Sequence, residues 1–259
     1  MSEDKMAGRT KFEAFAALHV PGDPLVLYNI WDAGSALAVV KAGAKALATG
    51  SHPVGDASGF GDGEQVPLDF AFTNARRIVD AIDPLPLTVD FEGAYSTDPE
   101  EGARNVAGLK ETGAVGCNFE DQVIGGAKEN GGVHPLDLQV RRIAAIRREV
   151  GDGFFINART DLFIKAKEVG DALLDEVIER GKAFAGAGAS GFFVPRLADP
   201  RHIERIVSAV PLPLNAVAFP GAPPKAEWAA AGVARISHGP FPHRALMARL
   251  EEMARDAIS

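Results

Sequence analysis

Three short apolar runs in this chain each end in acids, and one of them also carries an arginine. The first closes as Val89-Asp90-Phe91-Glu92, the second as Asn118-Phe119-Glu120-Asp121 and the third as Asn157-Ala158-Arg159-Thr160-Asp161. A stretch after an earlier run adds Asp56 and Asp62. Carboxylates gathered in one place repel unless a cation sits between them. Mg²⁺ suits such a set, because it takes hard oxygen ligands, keeps several waters and needs only one or two carboxylates. Asp90, Glu92 and Glu120 are the candidate ligands, directly or through water. Each has an alternative role as a helix cap or a partner for a lysine. No His/Cys pattern suggests zinc. Arg159 offers a planar fork for a substrate carboxylate, or an internal ion pair with Asp121 or Asp161. A metal beside an arginine defines a substrate that chelates at one end and carries an anion. A 2-oxo acid does so, and a Lewis acid would stabilise the enolate formed when a bond at C3 breaks.

These residues share one place only if a scaffold brings strand ends together. Short apolar runs predict strands over 25–30, 46–50, 87–92, 116–121, 154–160, 191–195, 214–218 and 235–239. Amphipathic stretches at 35–42, 99–112, 138–150, 171–187 and 200–209 predict helices between them. Gly43, Gly113, Gly151, Gly188 and Gly232 follow as C-caps. KAGAKAL, ETGAVGC, GAGASGF and AAGVARI read as one repeated joint, where a helix ends and a strand begins. Eight such units predict an α/β fold, a single (β/α)8 TIM-type barrel over residues 1–259. In that fold the active site sits at the C-terminal ends of the strands, where the acids and Arg159 stand. No G-x-G-x-x-G follows the first strand, which disfavours a dinucleotide-binding open sheet.

Composition narrows the function. The 259 residues suit one barrel, and 46% apolar content supplies a sizeable core. A net charge of −8 without a basic stripe excludes a nucleic-acid backbone as the expected partner. Cys117 is the single cysteine and is expected in the core. The opening MSEDKMAGRTKF lacks a signal-peptide core, and no apolar run is long enough to cross a membrane. The expectation is a cytoplasmic protein with no membrane partner. Trp31 and Asp32 follow the first strand and could shape the pocket, with N-capping as the alternative for Asp32. The polar, glycine-rich stretch 122–135 reads as a mobile lid, and Lys128 within it as a residue delivering charge. His134, beside Pro135, reads as structural.

NIWDAGSA (from Asn29), ATGSHPVGDASGFGDGE (from Ala48), VDFEGAYS (from Val89), NFEDQ (from Asn118) and NARTD (from Asn157) occur in order along nearly the whole chain. In these segments the sequence resembles the isocitrate lyase / phosphoenolpyruvate mutase superfamily. The resemblance implies that Asp90 and Glu120 are metal-site acids and that Glu92 is the second acid of its segment. It implies that Asp62 is a catalytic-loop acid and that Arg159 binds the substrate carboxylate. It places Gly50, Ser51 and His52 in a backbone-rich turn that receives substrate oxygens, and Asn215 near the substrate. It implies Mg²⁺, with Mn²⁺ as a substitute, and a small-molecule carboxylate substrate. It also implies a homo-oligomer, dimer or tetramer, whose last helix, 242–258, is exchanged between subunits.

The departures from the family pattern bear on the reaction. Asn130 stands where the lyase branch has its acid/base cysteine, and asparagine cannot exchange a proton near neutral pH. Lys128-Glu129-Asn130 resembles the K-x-N ending of the phosphonomutase loop, although Gln122 replaces that loop's first lysine. Arg196 replaces a lyase-type glutamate after the sixth strand. Lys128, Asn130 and Asp62 are the catalytic candidates. The implied reaction makes or breaks a P–C or C–C bond next to an enolpyruvate, by phosphonomutase-like rather than isocitrate or methylisocitrate lyase chemistry. The alternatives are an oxaloacetate decarboxylase or related 2-oxo-acid C–C lyase, and a non-catalytic relative that only binds metal and carboxylate.

Overall fold

In the computed structural model, eight parallel strands surround one axis. They are β1 (Leu25–Leu27), β2 (Leu47–Ala48), β3 (Leu87–Asp90), β4 (Gly116–Glu120), β5 (Phe155–Arg159), β6 (Gly191–Phe193), β7 (Leu214–Val217) and β8 (Arg235–Ser237). The structure describes residues 10–124 and 132–259. Lys128 and Asn130 lie outside the described residues. Hydrogen-bonded neighbours run β1-β8-β7-β6-β5-β4-β3-β2. The seam between β1 and β2 is closed by a parallel bridge, Ile30 to Thr49, with Ile30 N donating to Ala48 O at 2.9 Å. The (β/α)8 barrel read from the sequence is the observed fold. Every strand falls inside its expected run and stops short of that run's end, because the last residues leave the ladder for the mouth. Glu92, expected in the third strand, has left-handed backbone with φ 49°.

The helices are α1 (Lys11–Ala17), α2 (Ala33–Lys41), α3 (Ser51–Ser58), α4 (Leu68–Ile82), α5 (Pro99–Lys110), α6 (Leu136–Val150), α7 (Leu162–Lys165), α8 (Asp171–Gly186), α9 (Pro200–Ala209), α10 (Lys225–Ala230) and α11 (Phe241–Ile258). Asp32 caps α2, accepting from Ser35 N at 2.7 Å, so its capping role is realised. The repeated joint is equally concrete: Gly43, Gly113, Gly188 and Gly232 have φ between 92° and 98°, where a Cβ is disfavoured. Helices α1, α3, α4, α7 and α10 were not among the stretches singled out from sequence.

Two apolar layers result. Outside the strands, Ile78, Val106, Ile146, Phe184 and Trp228 are buried between helices and sheet. Inside, α1 plugs the N-terminal end of the barrel. Its Phe15 is fully buried and meets Phe155 edge-on at 5.4 Å among Leu25, Leu27 and Val115. His19 stacks on Phe155 at 4.3 Å, and burial drives its pKa down to about 3, so it packs as a neutral ring.

Helix α11 behaves differently. Only Pro242 and His243 are buried, while Leu246, Leu250 and Met253 are 54%, 56% and 55% exposed. A groove of about 750 Å³ beside β1 is lined by Leu18, Val20, Val26, Tyr28, Val39 and Ala42. No helix among the described residues is long and apolar enough to cross a membrane.

Arg142 of α6 ties the outer layer to the mouth. Its buried guanidinium donates to Gln139 Oε1 (2.8 Å), Gly93 O (2.6 Å) and Ser96 O (2.9 Å) and lies 4.7 Å from the Phe119 ring centre. Arg142→Met fills the space but leaves those carbonyls without donors. Urea unfolding should show a loss of about 2–4 kcal/mol.

Candidate active site

The strand register sets a polar layer across the barrel. Asp90, Asn118 and Asn157 stand opposite one another on β3, β4 and β5. Asn157 Nδ2 donates to Asn118 Oδ1 at 2.8 Å, and Asn118 Nδ2 donates to Asp90 Oδ1 at 3.0 Å. Arg235 Nη2, buried on β8, adds a second donor to Asn118 Oδ1 at 3.1 Å. That fixes the amide so its NH₂ faces Asp90. Burial lowers the Arg235 pKa to about 9. The other oxygen of Asp90 accepts from Ser51 N (3.0 Å) and Ser51 Oγ (2.9 Å). Gly50 caps α3 without a side chain, so the first N–H of the helix is free to meet this carboxylate.

One residue further along β4, Glu120 stands opposite Arg159. Arg159 Nη1 lies 2.7 Å from Glu120 Oε2, while its Nε and Nη2 grip Asp161 at 2.6 and 2.9 Å. Burial pushes the Glu120 carboxyl well up despite Arg159, and Asp161, Asp90 and Glu92 push the same way. Burial works against the Arg159 charge, but Glu120 and Asp161 outweigh it and raise its pKa. Asp161 is held in turn: its N–H donates to Asp121 Oδ1 at 2.9 Å, and Asp121 Oδ2 meets Arg180 Nη1 of α8 at 3.1 Å. Of the two internal partners open to Arg159, the structure selects Asp161. A guanidinium has five N–H donors, and the contacts to Asp161 and Glu120 leave one on each terminal nitrogen.

Glu92 sits where the chain turns out of β3. Its Oε1 accepts from Gly63 N (2.9 Å) and Glu64 N (3.0 Å), tying the loop after α3 to the mouth. Burial raises the Glu92 pKa to about 7, with Asp90, Asp62 and Glu64 adding repulsion. Glu64 Oε1 accepts from Tyr95 N at 2.6 Å. Among the described residues, the non-glycine residues with left-handed backbone are Glu64, Glu92, Ala94, Tyr95 and Arg196. Glu64 stands in the loop after α3 and the others follow β3 or β6, and such strain persists only where the surroundings enforce it.

The structure therefore groups Asp90, Glu92, Glu120, Arg159, Gly50 and Ser51, with exposed Asp62 close enough to act on Glu92. Ser51 and His52 begin a helix instead of forming a turn. His52 faces α11, with Nδ1 2.9 Å from Asp56 and Nε2 2.8 Å from Arg244 Nη2. An arginine can only donate, so Nε2 is the acceptor in that contact. Trp31 packs edge-on to His243 at 4.7 Å and accepts from Asn74 through its carbonyl. Asn215 is paired with Ser237 at 3.1 Å. Cys117 is core, its thiol pushed up to about 12 by burial.

Sequence reasoning assigned no role to Asn29, Asn118, Asn157, Arg180 or Arg235. The asparagines did leave a signal, since NIWDAGSA, NFEDQ and NARTD each begin with one. Asn29 joins three strand ends, donating to Thr49 O and accepting from His238 N and Gly239 N, each at 2.8 Å.

Among the described residues no three His, Cys, Asp or Glu side chains converge closely enough to cage a metal. The donor set nonetheless fits a hard divalent cation held by one or two carboxylates and waters. All its members are oxygens, and Glu92 and Glu120 each sit under repulsion from neighbouring carboxylates, Asp90 among them, that such a charge would relieve.

The sequence model of the phosphoenolpyruvate phosphomutase family matches residues 15–258. A putative phosphonomutase from Burkholderia cenocepacia J2315 superposes with a TM-score of 0.89 at 44% identity, covering 95% of this chain and 98% of that one. The 2-methylisocitrate lyase of Escherichia coli K12 is 31% identical over 79% of this chain and 68% of its own length. A phosphonopyruvate hydrolase solved with oxalate and Mg²⁺ shares the fold, with a TM-score of 0.82 at 22% identity over 95% of this chain and 87% of that one. The chain belongs to the phosphoenolpyruvate mutase/isocitrate lyase superfamily, which includes lyases and phosphonomutases.

Proposed function

We propose that the chain is a Mg²⁺-dependent enzyme that makes or breaks a P–C or C–C bond in a small 2-oxo acid or phosphonopyruvate-like substrate. The supporting observation is the acid pair on neighbouring strands, Asp90 and Glu120, with Glu120 coupled to Arg159 on the next strand. Asp90, Glu92 and Glu120 would hold the cation, directly or through water. When bound, Mg²⁺, or Mn²⁺ in its place, would supply Lewis-acid stabilisation of charge developing on the substrate's 2-oxo oxygen. The oxalate and Mg²⁺ found together in the related hydrolase suit that chelating geometry.

The chain's own residues do the remaining work. Ser51 and Asn118 fix Asp90 from both sides, so it needs no reorganisation when ligand arrives. Arg159, locked by Asp161, turns its remaining N–H groups to the substrate carboxylate. Ser51 and Gly50 bring the N-terminus of α3 to the same place, where it favours anionic oxygens. Lys128, Asn130 and Asp62 stay the candidates for moving protons.

We also infer a homo-oligomer, dimer or tetramer, in which α11 of one subunit lies in the apolar groove of another. Leu246, Leu250 and Met253 form an unpartnered stripe, and the groove beside β1 is open.

Calorimetry tests the site: Asp90→Asn and Glu120→Gln should each weaken Mg²⁺-dependent oxalate binding about 100-fold or more. Unchanged affinity in both would end the metal assignment. Light scattering tests the assembly, which should have a mass of a multiple of 27.3 kDa. Leu246→Glu with Leu250→Glu should bring it down to the single chain, and a wild-type mass of one chain would refute the exchange.

A further inference from the structure

The mouth is electrically divided. Following the strands around the barrel, the ends of β2, β3 and β4 bring Asp62, Asp90, Glu92 and Glu120, whereas β5 brings Arg159 with Asp161 paired to it and β6 leads to Arg196. The ends of β7 and β8 are neutral, with Asn215 and Ser237 bonded to each other. A substrate chelating a cation in the acidic sector would point its far end across the mouth, towards the arginines.

Arg159 cannot serve both ends. Asp161 takes the Nε–H and one N–H of Nη2, and Glu120 takes one N–H of Nη1, which leaves two N–H groups, enough for one carboxylate. Its guanidinium carbon lies 5.6 Å from the Phe193 ring centre, at the end of β6, three residues before Arg196.

Arg196 has features that a merely solvated arginine would not need. Its backbone has φ 62°, a conformation suited to glycine and costly for a side chain. It is exposed and makes no hydrogen bond or ion pair with any described residue. The acid nearest in sequence, Asp199, is committed to capping α9 and to Arg201 at 2.7 Å. The other strained residues at the mouth, Glu64, Glu92, Ala94 and Tyr95, all belong to the loops that build the acidic sector. Arg196 is their counterpart on the basic side.

We propose that Arg196 is a specificity-determining residue that binds a second anionic group, a carboxylate or phosphonate, at the end of the substrate remote from the chelated one. This rests on the metal-chelating reading of Asp90 and Glu120. It narrows the substrate class to dianionic 2-oxo acids and disfavours those with an apolar tail.

Arg196→Gly is the informative variant, because glycine suits φ 62° and folding is not at risk; its melting temperature should equal or exceed that of the wild type. Binding with Mg²⁺ is measured by calorimetry for three probes. Oxalate has only the chelating end, 3,3-difluorooxaloacetate adds a distal carboxylate, and phosphonopyruvate adds a distal phosphonate. Arg196→Gly should weaken one or both of the longer probes about 10- to 100-fold while changing oxalate by less than about threefold. The probe that loses more identifies the distal group. Arg196→Lys should recover part of the loss, as it restores charge without the fork. Unchanged affinity for both longer probes, or an equal loss for all three, overturns the assignment. If instead oxalate binding survives Asp90→Asn and Glu120→Gln, the chelation reading fails, an outcome separate from any Arg196 result.

Discussion

The rest of the structure depends on a carboxylate that is hard to bury. Glu120 ends β4 at 3% exposure, flanked by Asp90, Glu92 and Asp161, and its cationic contact is Arg159 at 2.7 Å. Removing either partner of such a pair would strand the other in a low-dielectric setting. Much of the local architecture holds the pair in place. The β4–β5 register sets Glu120 against Arg159, Asp161 grips the guanidinium side-on, and Asp121 and Arg180 secure Asp161 from α8. The outcome is a mouth whose geometry is fixed before any ligand arrives.

The same economy appears in the loops. Left-handed backbone at Glu64, Glu92, Ala94 and Tyr95 is disfavoured on its own, so other groups enforce it. The Glu92 carboxylate takes two backbone N–H groups, that of Glu64 takes a third, and Arg142 takes the carbonyls of Gly93 and Ser96. Strain at the mouth and rigidity beneath it are two parts of one arrangement. Loop residues build the candidate site, and buried arginines from the helix layer, Arg142 and Arg180, hold the loops.

Much of this was legible in the sequence because parallel barrels write themselves plainly. Strands buried on both faces read as short apolar runs, and the glycine joints at Gly43, Gly113, Gly188 and Gly232 mark where helices stop. The acids at 90, 92 and 120 were legible as strand ends, and the structure gathers them. Less legible was what each side chain touches. Arg159 allowed two internal partners, and only the fold decides for Asp161. Arg142 and Arg180 lie on amphipathic helices, where a charged residue normally reads as solvated, yet both are buried. His52 belongs to a motif but sits on the first turn of α3, and the helical rotation carries its ring towards Arg244. The stripe on α11 was visible as periodicity, but its exposure is a tertiary fact that no local pattern encodes.

The central claim is that the acids at the mouth are arranged around a divalent cation, and thermal unfolding across pH tests it most directly. Burial raises the Glu92 pKa from 4.5 to about 7. Between those values the folded chain binds more protons than the unfolded one, so in EDTA stability should fall as pH rises through the window. Glu120, also raised, acts in the same direction. A bound divalent cation takes the place of those protons, so Mg²⁺ should raise the melting temperature increasingly towards the alkaline end and flatten the decline. Melting curves that fall identically with and without Mg²⁺ across that range would contradict the account.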